Sequence, residues 1–280
     1  MVKNWNLKVG DKIYKFDSPI VMGILNVTPD SFYDGGKYNN EKNILNRTEQ
    51  IISEGAKIID IGAFSTRPGA EDVDEIEEYN RLRNALTCIK KEYPNQLISI
   101  DTFRANTALK IIEEFGNCII NDISGGTMDN NMFKTVAKLN ATYIMMHIQG
   151  TPQTMQKNPF YKNVTQDVYH FFEKRIHQLK QLGACNIIVD LGFGFGKTID
   201  HNYELMKNHN QFTQLNLPIL TGISRKSMIY KFIGGTPDSS LNGTSVLNTI
   251  AINKGANILR VHDVKEAVEV ITLSKKINDI

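Results

Sequence analysis

The chain has 280 residues, 41% of them hydrophobic and 22% charged, and its 32 basic and 30 acidic side chains leave a net charge of +2. So close a balance excludes an extended nucleic-acid or membrane-binding surface, and any anion site must be local. Three widely spaced cysteines, Cys88, Cys118 and Cys185, form no C-x-x-C pair and exclude a disulfide framework or zinc ribbon; each lies in or beside an apolar stretch and is expected as a buried thiol.

Met1–Gly10 is polar and lacks the apolar core of a leader, and no segment reaches the roughly 18 apolar residues of a membrane span, so a cytoplasmic protein is expected. Leu7–Val9 and Ile13–Phe16 flank Gly10-Asp11, a hairpin signal. Residues 1–280 are read as a single domain, in which a hairpin over 1–19 plugs the N-terminal mouth of the part formed by residues 20–280. Over that domain short apolar runs alternate with longer amphipathic stretches. The runs are Ile20–Leu25, Ile58–Ile61, Leu97–Ile100, Cys118–Ile120, Thr142–Met146, Asn186–Val189, Pro218–Leu220 and Asn257–Val261. They are rich in β-branched residues and do not alternate with polar ones, as parallel strands covered on both faces read. Helices are expected over Glu41–Glu54, Val73–Tyr93, Arg104–Phe115, Val164–Leu182 and Leu241–Lys254, with Phe171, Ile176, Leu179 and Leu182 as the buried stripe of the fourth.

Eight such units without a linker argue for one closed (β/α)8 (TIM) barrel. The rival, a doubly wound sheet, carries a glycine-rich turn after its first strand, where Thr28-Pro29-Asp30 stands here. His147–Asn163, with Pro152 and Pro159, reads as one long βα loop of the kind that is commonly functional.

Polar residues follow each run in turn: Asn26; Asp60 and then Ser65-Thr66-Arg67; Asp101; Asn121-Asp122; His147; Asp190; Ser224-Arg225-Lys226-Ser227; and Arg260 with His262. In a barrel these ends converge on the mouth that carries active sites. Any one of them also reads as a helix cap; the whole set at one rim does not. Asp101, Asn121 and Asp190 suit a heterocycle with adjacent N–H donors, because a carboxylate accepts two parallel bonds. Lys226, Arg225, Arg260 and His262 are expected opposite them as a cationic set for a phosphate-like anion, and Ser227 opens a helix whose N-terminus favours the same charge. The run Gly192-Phe193-Gly194-Phe195-Gly196-Lys197-Thr198 fails as a P-loop at Leu191 and as a dinucleotide fingerprint at Lys197. It is read as a tight turn that brings backbone toward a ligand beside Asp190. His170 and His177 lack the H-E-x-x-H pattern and read as solvated helix residues, and no G-x-S-x-G nucleophile elbow occurs. Asn26 alone is a poor ligand; magnesium there would draw most of its shell from water and a substrate phosphate.

Met22-Gly-Ile-Leu-Asn-Val-Thr-Pro-Asp-Ser-Phe-Tyr-Asp-Gly-Gly36 resembles the first signature of dihydropteroate synthases, and Asp60-Ile-Gly-Ala-Phe-Ser-Thr-Arg-Pro-Gly-Ala70 resembles the second. Asp101-Thr102, Asn121–Gly126, Met146–Met155, Gly194–Lys197, Ser224–Ser227 and Arg260–His262 follow in the family's order. The resemblance implies pterin-pocket roles for Asp101, Asn121, Asp190 and Lys226, with Phe195 in the adjoining turn. It implies a magnesium ligand in Asn26 and pyrophosphate binding by Arg260 and His262. Thr66, Pro68 and Ser227 fall on the implied aminobenzoate side, beside Arg67, and Val27–Gly36 and Ser65–Asp72 are similar to the family's two mobile loops. A homodimer and small-molecule substrates, pterin pyrophosphate and 4-aminobenzoate, are implied as partners. Leu191 and Ala63-Phe64 depart from the pattern, Leu191 standing where proline is common. Methyltetrahydrofolate-dependent methyltransferases share the pterin set but need neither the Ser65–Arg67 loop nor the Arg260–His262 pair. Intact Asn26, Thr66, Arg67 and Lys226 argue against a non-catalytic paralogue.

Overall fold

The computed structural model of the chain describes residues 4–28, 36–64 and 73–278. An antiparallel hairpin, β1 (Trp5–Val9) and β2 (Lys12–Phe16), precedes eight parallel strands. These are β3 (Ile20–Asn26), β4 (Ile58–Gly62), β5 (Leu97–Asp101), β6 (Ile119–Asp122), β7 (Thr142–Met146), β8 (Ile187–Asp190), β9 (Ile219–Thr221) and β10 (Ile258–Val261). β10 pairs with both β9 and β3, which closes the barrel. Helices α1 (Gly36–Ser53), α2 (Glu75–Glu92), α3 (Ala105–Phe115), α4 (Met132–Leu139), α5 (Val164–Gln181), α6 (Ile199–Lys207), α7 (Ser227–Ile233), α8 (Leu241–Asn253) and α9 (Val264–Asn278) follow the strands. None of the described helices is long and apolar enough to cross a membrane.

The eight barrel strands are buried along nearly their whole length, yet each divides by parity. In β4, Ile59 and Ile61 join the large core shared with the helices, whereas Ile58 joins a second cluster inside the barrel. That second cluster gathers Ile20, Met22, Ile58, Ile119, Ile144, Ile188, Leu220 and Ile258 from near the starts of the strands, with Trp5, Leu7 and Val9 of the hairpin upon them. The hairpin is therefore the expected plug. Gly10, at φ 58°, makes its two-residue turn, and Trp5 fixes it by donating Nε1–H to the Ser18 carbonyl at 2.9 Å. One layer further along, the inward parity turns polar: Asp60, Ser99, Asn121, Asp190 and Arg260.

Most strands run one residue beyond the apolar stretch that marks them. Asn26, Asp101 and Asp190, and at β6 both Asn121 and Asp122, still belong to strands, because the backbone pairing does not depend on side-chain polarity. In α5 the buried stripe is Val164, Val168, Phe172, Ile176 and Leu179; Phe171 is half-buried and Leu182 is exposed. Steps of three and four stay on one face, whereas Phe171 to Ile176 is a step of five. Of the cysteines only Cys118 is buried; Cys88 is half-buried and Cys185 exposed, which corrects the expectation for both.

Candidate active site

Arg260 organises one side of the C-terminal mouth. From β10 its Nε donates to Asp60 Oδ2 at 2.6 Å and its Nη2 to Asp101 Oδ2 at 2.8 Å. Asn121 donates Nδ2–H to the same Asp60 oxygen at 3.1 Å, and Oδ1 of this fully buried carboxylate has no partner among the described residues. Burial pushes the Asp101 carboxyl up to about 7 even against the pull of Arg260; burial also works against the guanidinium charge, but Asp60 and Asp101 outweigh it and hold Arg260 charged.

The other side is built on β8 and β9. Asp190 accepts the Gly192 N–H at 2.8 Å on Oδ1. Burial raises its pKa, and the positive charges of Lys226, Arg260 and Lys197 oppose the rise. Lys226, capping α7, donates Nζ–H to the Phe193 carbonyl at 2.5 Å and lies 4.7 Å from the centre of the Phe195 ring. Burial brings it down to about 8, with Asp190 the largest opposing influence. Such desolvated charges favour ligands that replace lost water with charge-assisted hydrogen bonds.

Cations and carboxylates are thus interleaved, not ranged on opposite sides as the sequence suggested. Arg225 leaves the set altogether: at φ 56° its side chain is turned to Asp263, with bonds of 3.0 and 2.6 Å, and to Asp238 at 3.0 Å. His262 follows β10 beside Ser224, and half-buried Ser227 opens α7. Thr66, Arg67 and Pro68 lie outside the described residues, as do 29–35 and the whole of 65–72.

The glycine run is a tight turn, and a neighbouring loop accounts for two of its glycines, while the third, Gly194, faces the Lys226 side chain. A Cβ on Gly192 would lie 1.9 Å from the His147 carbonyl oxygen, and one on Gly196 would lie 2.6 Å from that of Gln149. Lys197, buried beneath, donates to the Gly192 and Phe195 carbonyls at 2.8 and 3.0 Å and sits 3.0 Å from His147 Nδ1. Burial brings Lys197 down to about 7 and, with Lys197 beside it, holds His147 well below the usual range, so His147 is the acceptor. Gln156 and Tyr161 of the long β7 loop reach the Gly194 and Gly196 carbonyls at 2.8 and 2.7 Å. This loop braces the turn that presents Phe193 and Phe195 to Lys226.

Asp122 is at the rim only in sequence. Its outward parity buries it among Ser124, Gly126 and Tyr143, where it folds the turn after β6. Three features escaped the candidate set. Asp60 pairs in mid-strand between Ile24 and Ser99, and its parity with Ile58 is the signal that places it inward. Ser224 gave no signal beyond its motif. A small apolar cluster, Ile123, Met146, Ile148 and Met155 with Phe103, packs with the candidate Phe195; apart from Phe195 its members sit among or just beyond the polar strand ends and gave no polar signal. Phe64 meets Phe103 edge-on at 5.7 Å, with the Arg104 guanidinium near both rings.

The described residues contain no cluster of three His, Cys, Asp or Glu fit to hold a metal. Two oxygens lie near Gly62, however: a Cβ there would sit 3.6 Å from Asn26 Oδ1 and 3.7 Å from Asp101 Oδ2, the latter also accepting from Arg260 at 2.8 Å. So sparse an all-oxygen set fits a hard cation that keeps most of its water.

The model of the pterin-binding enzyme family matches residues 22–262. A dihydropteroate synthase of Haemophilus influenzae is 42% identical over 260 residues, covering 92% of this chain and 94% of its own. Among solved structures, a Yersinia pestis dihydropteroate synthase in a sulfonamide drug complex superposes with a TM-score of 0.91 at 36% identity, over 99% of this chain and 100% of that one. A Xanthomonas albilineans dihydropteroate synthase with 4-aminobenzoic acid gives 0.89 at 31% identity, over 98% of both chains. The chain belongs to the pterin-binding enzyme family, among its dihydropteroate synthases.

Proposed function

We propose that the enzyme joins 6-hydroxymethyl-7,8-dihydropterin pyrophosphate to 4-aminobenzoate, giving 7,8-dihydropteroate and pyrophosphate for folate synthesis. The observation that carries this reading is the ring of Asp190, Lys226, Asn121, Asp101 and Arg260 at one barrel mouth. Asp190 offers a carboxylate edge to the N–H donors of the aminopyrimidinone ring, and Asn121 and Asp101 extend that recognition. Lys226 donates to the ring's acceptors and is held in place by the Phe193 carbonyl and Phe195. Two edges of the Arg260 fork are fixed by Asp60 and Asp101, which aims its remaining N–H donors at the pyrophosphate together with His262. Ser227, Thr66 and Pro68 form the aminobenzoate side, with Arg67 in the same segment.

The chemistry needs no protein nucleophile. Pyrophosphate departs from the pterin methylene and the aromatic amine attacks the carbon, so the protein contributes positioning and stabilisation of leaving-group charge. Magnesium, held by Asn26 with Asp101 beside it, would supply further positive charge to the phosphate oxygens. A homodimer is supported by the exposed apolar side chains Phe232 and Ile233 on α7 and Val246 and Ile250 on α8, which a partner subunit would cover. The substrates are small molecules, with no nucleic acid or membrane partner, in the cytoplasm.

The test is pyrophosphate release from the pterin substrate, with and without 4-aminobenzoate and magnesium. Magnesium-dependent dihydropteroate formation is expected; its absence at micromolar enzyme sinks the reading.

A further inference from the structure

Ser224 lies in the turn after β9, is buried, and has no part in the roles given above. Its Oγ faces two atoms of His262: the backbone N–H donates to it at 3.2 Å, and the ring Nδ1 lies 3.1 Å away. A serine hydroxyl that accepts one N–H still has its own proton to donate. Burying that proton without an acceptor is costly, and among the described residues His262 Nδ1 is the acceptor it reaches. Nδ1 is then the bare nitrogen of the neutral imidazole, and the ring proton sits on Nε2. The backbone of the same residue is held from the far side by α1. Arg47 donates Nη2–H to the His262 carbonyl at 2.8 Å, while its Nη1 is tied to Gln50 Oε1 at 2.8 Å. Three bonds from two distant parts of the chain thus hold the backbone and one ring nitrogen of His262.

We propose that Ser224 is a positioning residue that locks His262 as the Nε2–H tautomer, so that the mouth receives a hydrogen-bond donor where leaving-group charge develops. This rests on the synthase reading of the site. The opposite tautomer would turn a lone pair toward a phosphate oxygen and repel it. Arg47 supports the lock by holding the strand end on which the ring is carried.

The tautomer is read directly on ligand-free enzyme labelled with nitrogen-15 histidine. Two-bond proton–nitrogen correlations are recorded at about pH 8.5, where an ordinary imidazole is neutral. The chain has 6 histidines, and His262 is assigned by the signal that disappears in His262→Asn. The wild type is expected to show the Nε2–H pattern, and Ser224→Ala a shift toward a mixture of both tautomers. With that shift kcat should fall roughly fivefold to tenfold, the loss of one orienting hydrogen bond, while KM for 4-aminobenzoate stays unchanged. An Nδ1–H pattern in the wild type overturns the proposal, as does an Nε2–H pattern left intact by Ser224→Ala. A protein that shows the Nε2–H signature but forms no dihydropteroate refutes the synthase reading and not the Ser224 lock.

Discussion

The mouth of the barrel holds two groups of opposite charges, built in different ways. On the β4–β5–β10 side, Arg260 spans two carboxylates at 2.6 and 2.8 Å and the charges meet directly. On the β8–β9 side, Asp190 and Lys226 influence each other's ionisation, yet each bonds to the backbone, Asp190 accepting from Gly192 and Lys226 donating to Phe193. The first group closes on itself and serves as the fixed base of an anion clamp. In the second, the backbone fixes where the charged atoms point and leaves much of their bonding capacity to a ligand. Opposite charges lining one pocket therefore need not do the same work: direct pairing secures structure, and anchoring to the backbone prepares recognition.

Breaking the two groups separately should expose the difference. Arg260→Ala leaves Asp60 buried without its counter-charge, a change that costs about 3 kcal/mol or more in folding stability, read from chemical denaturation. It should also weaken the pyrophosphate substrate far more than a pterin lacking phosphate; equal losses for both ligands would place Arg260 elsewhere. Asp190→Asn should instead remove about 2 kcal/mol of pterin binding, through one charge-assisted bond, with little change in the unfolding midpoint. Unchanged pterin affinity by titration calorimetry would refute the recognition role of Asp190, and a midpoint loss as large as that of Arg260→Ala would erase the contrast.

This difference lay beyond what the sequence could express. Strand runs and the polar residue at the end of each made the barrel and its rim legible, because pattern and backbone pairing agree there residue by residue. Long-range direction was not legible. Arg225 and Lys226 are neighbours in the same motif, and only the left-handed φ of Arg225 sends one to Asp263 and leaves the other beneath the pocket. Asp60 appeared to be one strand end among several until parity placed it under Arg260. The glycine run invited a ligand because glycines permit close approach; what approaches is the His147 carbonyl, a contact 45 residues away in sequence (147 to 192).

A milder perturbation uses pH. Asp101 is raised from 3.8 to about 7 by burial, so between these values the folded protein binds more protons than the unfolded chain. The contribution of Asp101 to stability is then full at low pH and is lost as pH rises across that window. Lys226, lowered from 10.5 to about 8, has the opposite sign at higher pH: between these values the unfolded chain binds more protons, and stability is regained as pH rises. Asp101→Asn should flatten the acidic limb of a stability-versus-pH curve and leave the alkaline limb intact. Loss of both limbs together would mean that the two sides titrate as one group and are not separable.

The smallest change concerns the ring beneath Lys226. Phe195→Leu keeps an apolar side chain within the cluster of Ile123, Met146, Ile148 and Met155 but removes the aromatic face 4.7 Å from the ammonium. A cation over an aromatic face gains roughly 0.5–1 kcal/mol at a partly exposed site. Pterin affinity should therefore fall about twofold to fivefold, with folding stability nearly unchanged, since the larger part of the side chain's apolar contact is retained. Lys226 should also lose its proton at a lower pH than in the parent, because the ring favours the charged form. Binding measured across the alkaline range separates this effect from simple repacking. A uniform drop in affinity at every pH would assign Phe195 to packing alone and leave the Phe193 carbonyl as the anchor that holds Lys226 ready for its ligand.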